Sequence, residues 1–116
     1  MKKNKAPNLL DLVPRQSQKY KSEIDENGMV TIFVENKGPF NFVAQKLFKK
    51  PRFSQIHLEE FGSFIWQQID DKRTVKEIAD LLYNEFGEKA EPLYPRISMY
   101  INTLLNYDFI SFYTLN

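Results

Sequence analysis

The most constraining feature of this chain is a change in hydrophobic period near residue 58. Before it, Met29-Val30-Thr31-Ile32-Phe33-Val34-Glu35 alternates, with Val30, Ile32 and Val34 on one face and Thr31, Phe33 and Glu35 on the other. Arg52 to Leu58 alternates too: Ile56 and Leu58 on one face, Phe53, Gln55 and His57 on the other. After it, apolar side chains recur at helical intervals in three blocks: Phe61, Phe64, Ile65, Ile69; Val75, Ile78, Ala79, Leu82, Phe86; and Leu93, Ile97, Ile101, Leu104, Leu105. A period of two buries its apolar face only as a strand, and a period near 3.6 only as a helix. The chain must therefore be α+β, with its main strands preceding its helices.

The punctuation sharpens this. Asp25-Glu26-Asn27-Gly28 ends in a strong hairpin signal, joining residues 29–35 to a weaker arm over 16–24, an expected edge strand. Residues 40–48 carry Val43, Ala44, Leu47 and Phe48 at a spacing that suits a short helix, with a loop as the alternative. The first of the three main helices is expected over 59–69, opened by Glu59-Glu60 at the positive end of its dipole. Thr74-Val75-Lys76-Glu77 has the form of a capping box, and Gly87 suits the end of the helix it starts. A third helix is expected over 93–106, then a short strand from Phe109 to Tyr113. Together these predict a winged helix-turn-helix: an N-terminal three-stranded antiparallel sheet, three helices and a short C-terminal strand. Residues 1–14 read as a basic flexible tail and 15–116 as a single domain.

Composition narrows the chemistry. The chain has 116 residues, no Cys and one His, which removes disulfides, thiolate metal sites and Cys nucleophiles and makes a His relay a poor reading. No phosphate-cradling glycine motif and no nucleophile elbow is present. Glu59/Glu60 and Asp70/Asp71 are adjacent carboxylates, but neighbours on a helix point apart and both pairs sit at helix ends. His57 reads as a structural or surface residue. These features predict a protein that is not an enzyme and holds no cofactor or metal itself. No apolar run reaches the roughly 18–20 residues that span a bilayer, and no secretion signal is recognisable, so a cytoplasmic protein is expected.

The net charge of +1 conceals an asymmetry. Residues 1–22 carry six bases against Asp11, residues 59–116 five bases against ten acids. A winged helix that binds duplex DNA needs basic or amide side chains on its third helix. Here that helix offers Arg96, Asn102 and Asn106 among Tyr, Met, Leu and Ile, in an acidic half that repels phosphate. Phe53, Tyr94, Met99 and Tyr100 instead favour apolar contact, which suits an extended peptide added to a free sheet edge. A winged-helix nucleic-acid binder using the basic tail is one alternative. Another is a structural or homodimerisation module whose groove is filled by its own Leu9–Val13 segment or by a second copy.

From Leu58 to Ile78, the run Leu58-Glu59-Glu60-Phe61-Gly62-Ser63-Phe64-Ile65-Trp66, then Asp70-Asp71 and Thr74-Val75-Lys76-Glu77-Ile78, resembles the PqqD family. These are small proteins of pyrroloquinoline quinone biosynthesis and, more widely, recognition elements for ribosomally made, modified peptides. The likeness extends through Leu81-Leu82, Phe86 and Leu104-Leu105 to Phe109-Ile110, about residues 53–112. Asp71 stands where the family usually has Gly, and residues 37–52 look like an insertion, which places the chain among the broader PqqD-like proteins. The resemblance implies a non-catalytic peptide chaperone that binds the leader of a precursor peptide as an added strand. It would present that peptide to a modifying enzyme, typically of the radical S-adenosylmethionine class. Carried over by position, the peptide-binding residues are Phe53, Ser54, Gln55 and Ile56 on the third strand and Arg96, Met99, Tyr100 and Thr103 on the third helix.

Overall fold

The computed structural model describes residues 8–35 and 53–112. Residues 40–48, expected as a short helix or a loop, and residues 1–7 of the expected tail lie outside the described residues. The chain divides into two compact units, residues 18–63 and residues 1–17 with 64–116. The described elements are α+β: two small antiparallel sheets and three α-helices.

The first unit is built on a three-stranded sheet in the order β2-β3-β4, where β2 is Lys21–Ile24, β3 is Val30–Glu35 and β4 is Phe53–His57. The β2–β3 turn is set by Asp25. Its Oδ1 accepts the backbone N–H groups of Asn27 (2.8 Å) and Met29 (3.0 Å), and Gly28 takes a φ of 81°, open to glycine at no steric cost. Val30 and Ile32 are buried on one face of β3, whereas every residue of β2 is exposed. That exposure explains why the first arm carries so weak an apolar pattern: β2 is an edge with no core face to fill.

The second unit contains a strand that the hydrophobic pattern did not reveal. β1 (Pro14–Gln16) pairs antiparallel with β5 (Ile110–Phe112), Pro14 opposite Phe112 and Gln16 opposite Ile110. Three residues are too few to display a period, and the two partners are nearly a hundred positions apart. A 3-10 turn at Leu9–Asp11 precedes β1, and the Leu12 carbonyl accepts the Val75 N–H at 2.9 Å. Residues 8–14, read from the sequence as part of a tail, therefore hold a turn and the start of a strand.

Helix α1 spans Glu60–Gln68, α2 Val75–Phe86 and α3 Leu93–Asn106. In the helical unit Ile65, Ile78, Leu82, Ile97 and Ile101 are all fully buried, the stripes that the 3.6 period marked. Phe64 and Phe86 meet edge to face, centroids 5.6 Å apart. The capping box at α2 is complete: Thr74 Oγ1 accepts the Glu77 N–H at 3.1 Å, and Glu77 Oε1 accepts the Thr74 N–H at 2.8 Å. Two Asp residues supply the left-handed backbone at turns where glycine is commoner. Asp71 has φ 67° between α1 and α2, and Asp108 has φ 65° just past α3, a conformation Asp tolerates better than most side chains. At Asp108 the Phe109 N–H bonds the Leu104 carbonyl (2.9 Å) and the Asp108 N–H bonds that of Leu105 (3.0 Å). That pair of bonds makes a Schellman stop, which turns the chain from α3 into β5.

Candidate functional site

Strand β4 stands at one end of the order β2-β3-β4, and among the described residues no further strand pairs with it. Its register on β3 places Ile56 opposite Ile32, Gln55 opposite Phe33 and Ser54 opposite Val34. Which of these residues bond to β3 follows from one contact. The Leu58 N–H donates to the Val30 carbonyl at 2.9 Å, and bonded and non-bonded pairs alternate along an antiparallel ladder. Ile56 and Ser54 therefore direct their backbone groups at β3. Phe53, Gln55 and His57 direct theirs at the outer edge. The β2 side agrees: the Asp25 N–H bonds the Met29 carbonyl at 2.9 Å, so Thr31 and Phe33 are the residues of β3 that bond β2.

Ser63 of α1 holds the end of this edge in place. Its hydroxyl accepts the Val30 N–H at 2.9 Å and donates to the Leu58 carbonyl at 2.9 Å. The ladder would otherwise close directly between those two groups; the hydroxyl is inserted as a bridge. Ser63 is buried, so its bonds replace contacts with water that neither backbone group could make. The sequence held one sign of this, a small polar residue among the apolar positions of the first helix, between Phe61 and Phe64.

On the second unit, Arg96, Met99, Tyr100 and Thr103 recur at helical spacing along α3, beside the buried stripe of Ile97, Ile101 and Leu104. Met99 is 59% exposed. Arg96 is engaged locally: Nη1 donates to the Lys89 carbonyl at 3.4 Å and Nη2 to that of Glu91 at 3.3 Å. Of the eight expected binding residues, Phe53, Ser54, Gln55 and Ile56 thus lie together on β4, and the other four lie together on one face of α3.

The carboxylate pairs do structural work. Glu59 Oε1 accepts the Gly62 N–H at 2.8 Å and so caps α1. Asp70 Oδ1 accepts the N–H groups of Arg73 (2.9 Å) and Lys72 (3.0 Å). Donation from the Arg73 backbone is the main reason the Asp70 carboxyl lies below its ordinary range. The C-terminal end of α1 is closed by Gln16, whose Nε2 donates to the Trp66 carbonyl at 2.9 Å. His57 Nδ1 lies 3.0 Å from Thr31 Oγ1, a cross-strand contact on the outer face of the sheet. Among the described residues no group of three or more His, Asp or Glu side chains is placed to hold a metal ion. No helix among them is long and apolar enough to cross a membrane.

An edge strand leading into a capped three-helix segment is also where the comparison with known families falls. The family model for Coenzyme PQQ synthesis protein D (PqqD) matches residues 51–110, just over half of the chain. The chain belongs to the PqqD family. The matched span begins just before β4 and takes in α1, α2, α3 and the first residue of β5. No curated protein and no solved structure matches the chain.

Proposed function

We propose that this PqqD-family protein is a non-catalytic peptide chaperone, a partner in the biosynthesis of a peptide-derived product. A precursor peptide adds as a strand to β4, and Arg96, Met99, Tyr100 and Thr103 of α3 supply side-chain contacts to it. The bound peptide is then presented to a modifying enzyme of the radical S-adenosylmethionine class, which brings the cluster and cofactor chemistry. The observation that carries this reading is the outer edge of β4, where the backbone groups of Phe53, Gln55 and His57 face away from β3. An extended peptide satisfies such groups with main-chain hydrogen bonds, while alternate side chains select the sequence. The nucleic-acid alternative loses support, because the one arginine on α3 donates to backbone carbonyls of its own chain.

A titration of the labelled protein with a candidate leader peptide tests this. Amide shifts should concentrate in 53–57 and 93–106, and shifts confined elsewhere would overturn the assignment. A proline scan adds a sharper arm. Gln55→Pro removes an outward donor and leaves the β3 ladder intact, since proline is tolerated where the N–H faces out of a sheet. It should abolish peptide binding while the protein stays folded. Ile56→Pro removes a ladder bond instead and should destabilise the sheet.

A further inference from the structure

Strand β2 forms the other end of the order β2-β3-β4, and among the described residues no strand pairs with its outer side. The register decides which of its backbone groups point there. Glu23 stands opposite Thr31 and Lys21 opposite Phe33, in phase with the bond from the Asp25 N–H to the Met29 carbonyl. Lys21 and Glu23 therefore direct their backbone groups at β3, and Ser22 and Ile24 direct theirs at the outer edge. The Lys21 and Glu23 side chains share one exposed face, and neither has an ion pair among the described residues. On the other face Ile24 stands opposite Val30. Val30 is 1% exposed and Ile24 54%, so the apolar face of the sheet runs out to the edge before it is covered. The charges are antisymmetric about Ser22: Lys21 precedes it and Glu23 follows, and Lys19 and Asp25 repeat that order one step further out.

We propose that β2 is a self-association edge, where a second copy of this chain adds its own β2 antiparallel about a two-fold axis at Ser22. In that register Ser22 stands opposite Ser22 of the second copy, so outward backbone groups meet outward backbone groups. Each Lys21 stands opposite Glu23 of the second copy, and Ile24 faces the position of its Tyr20. Opposite charges across an antiparallel pair attract, and like charges repel. No neighbouring register does as well. An axis at Lys21 or at Glu23 sets like charge against like, and an axis at Ile24 sets Glu23 against Asp25. An axis between two residues brings outward groups against groups already bonded to β3. Edge strands are commonly protected by charges that repel a second copy; here the two signs are ordered so that a second copy is attracted. The strand has only four residues, a short contact, so the dimer is weak and its population rises with protein concentration. The combined sheet has the order β4-β3-β2-β2-β3-β4, with a β4 edge at each end. The pairing does not use β4 or α3, and so it stands independently of the peptide reading.

Sedimentation equilibrium of the full chain over a range of concentrations tests this. The wild type should show a reversible monomer–dimer equilibrium. K21E and E23K each turn two attractive pairs into repulsive ones, and each should raise the dissociation constant about tenfold. An equimolar mixture of K21E and E23K should regain the lost dimer as a heterodimer, and the double swap K21E/E23K should regain it alone. A rescue of this kind separates pairing across copies from damage to the fold. Ser22→Pro removes an outward N–H and spares the β3 ladder; it should abolish the dimer while the far-ultraviolet circular dichroism is unchanged. Amide exchange supplies a second readout: the Ser22 and Ile24 N–H groups should gain protection as concentration rises, with those of Lys21 and Glu23 protected throughout. A chain that stays monomeric at every concentration would overturn the proposal. So would a dimer indifferent to both charge variants, a mixture that fails to restore association, or concentration-dependent protection that falls on Gln55 of β4 instead.

Discussion

The two units of this protein achieve order by different means. The helical unit buries Ile65, Val75, Ile78, Leu82, Ile97 and Ile101, three stripes that exclude water from one another. Among the described strand residues of the sheet unit, Val30 and Ile32 are the buried ones, and β2 has no buried residue. What it has instead is directional bonding: the Asp25 turn, the β3 ladders and the Ser63 bridge. Under the proposed function the outer edge of β4 awaits a peptide, and such an edge gives no stability until it is occupied. Among the described residues of the sheet unit, the register is held by hydrogen bonds at defined points.

Substitutions should expose this difference in proportion to what each removes. Leu82→Ala empties a fully buried site in α2 and should cost about 2–5 kcal/mol, measured by denaturant unfolding. Amide protection in α2 and α3 should fall with it; a loss below about 1 kcal/mol would show that the helical core is looser than its burial implies. Ser63→Ala leaves the Val30 N–H and the Leu58 carbonyl without their bridge and should cost about 1–3 kcal/mol. Its exchange signature should centre on Val30 and Leu58. Equal loss throughout α2 would erase the distinction between the units.

Thr74→Ala removes one half of a capping box and should cost about 1 kcal/mol, with fraying confined to the first turn of α2. The smallest effect concerns Asp70, which is exposed. Its carboxyl titrates below the ordinary value, so the charged form favours the folded state. That contribution is complete above the unfolded pKa of about 4 and is lost as pH falls through the lower folded value. The stability difference between the wild type and Asp70→Asn should therefore be visible near pH 7 and vanish in acid. A difference unchanged by acid would assign the effect to the side chain's shape rather than its charge.

How much of this was legible beforehand depends on range. Thr74-Val75-Lys76-Glu77 announced its helix start, and Asp25 to Gly28 its hairpin, because the bonds that define them close within four residues. The three helical stripes were legible because a repeated period states which face is apolar without naming what it packs against. Helix α3 runs from Leu93 to Asn106, as its spacing implied. The β1–β5 pair was not legible: Pro14-Arg15-Gln16 carries no period, and its partner lies at the other end of the chain. Gln16 and Ser63 were missed for a related reason. Each is a polar side chain whose role depends on a carbonyl or amide brought to it by folding, Trp66 for one and Val30 with Leu58 for the other.

By itself, then, the sequence determined the element types, the caps of α2, the apolar faces and the family resemblance, all of which rest on spacing over a few residues. Only the tertiary structure decided which backbone groups of β4 turn outward, since that depends on the register against β3 and is anchored by the Leu58 to Val30 bond. A one-residue slip would exchange Gln55 and His57 for Ser54 and Ile56 at the outer edge. The alternating pattern alone marks the two faces of a strand. Its two edges are distinguished only by a partner far away in the chain.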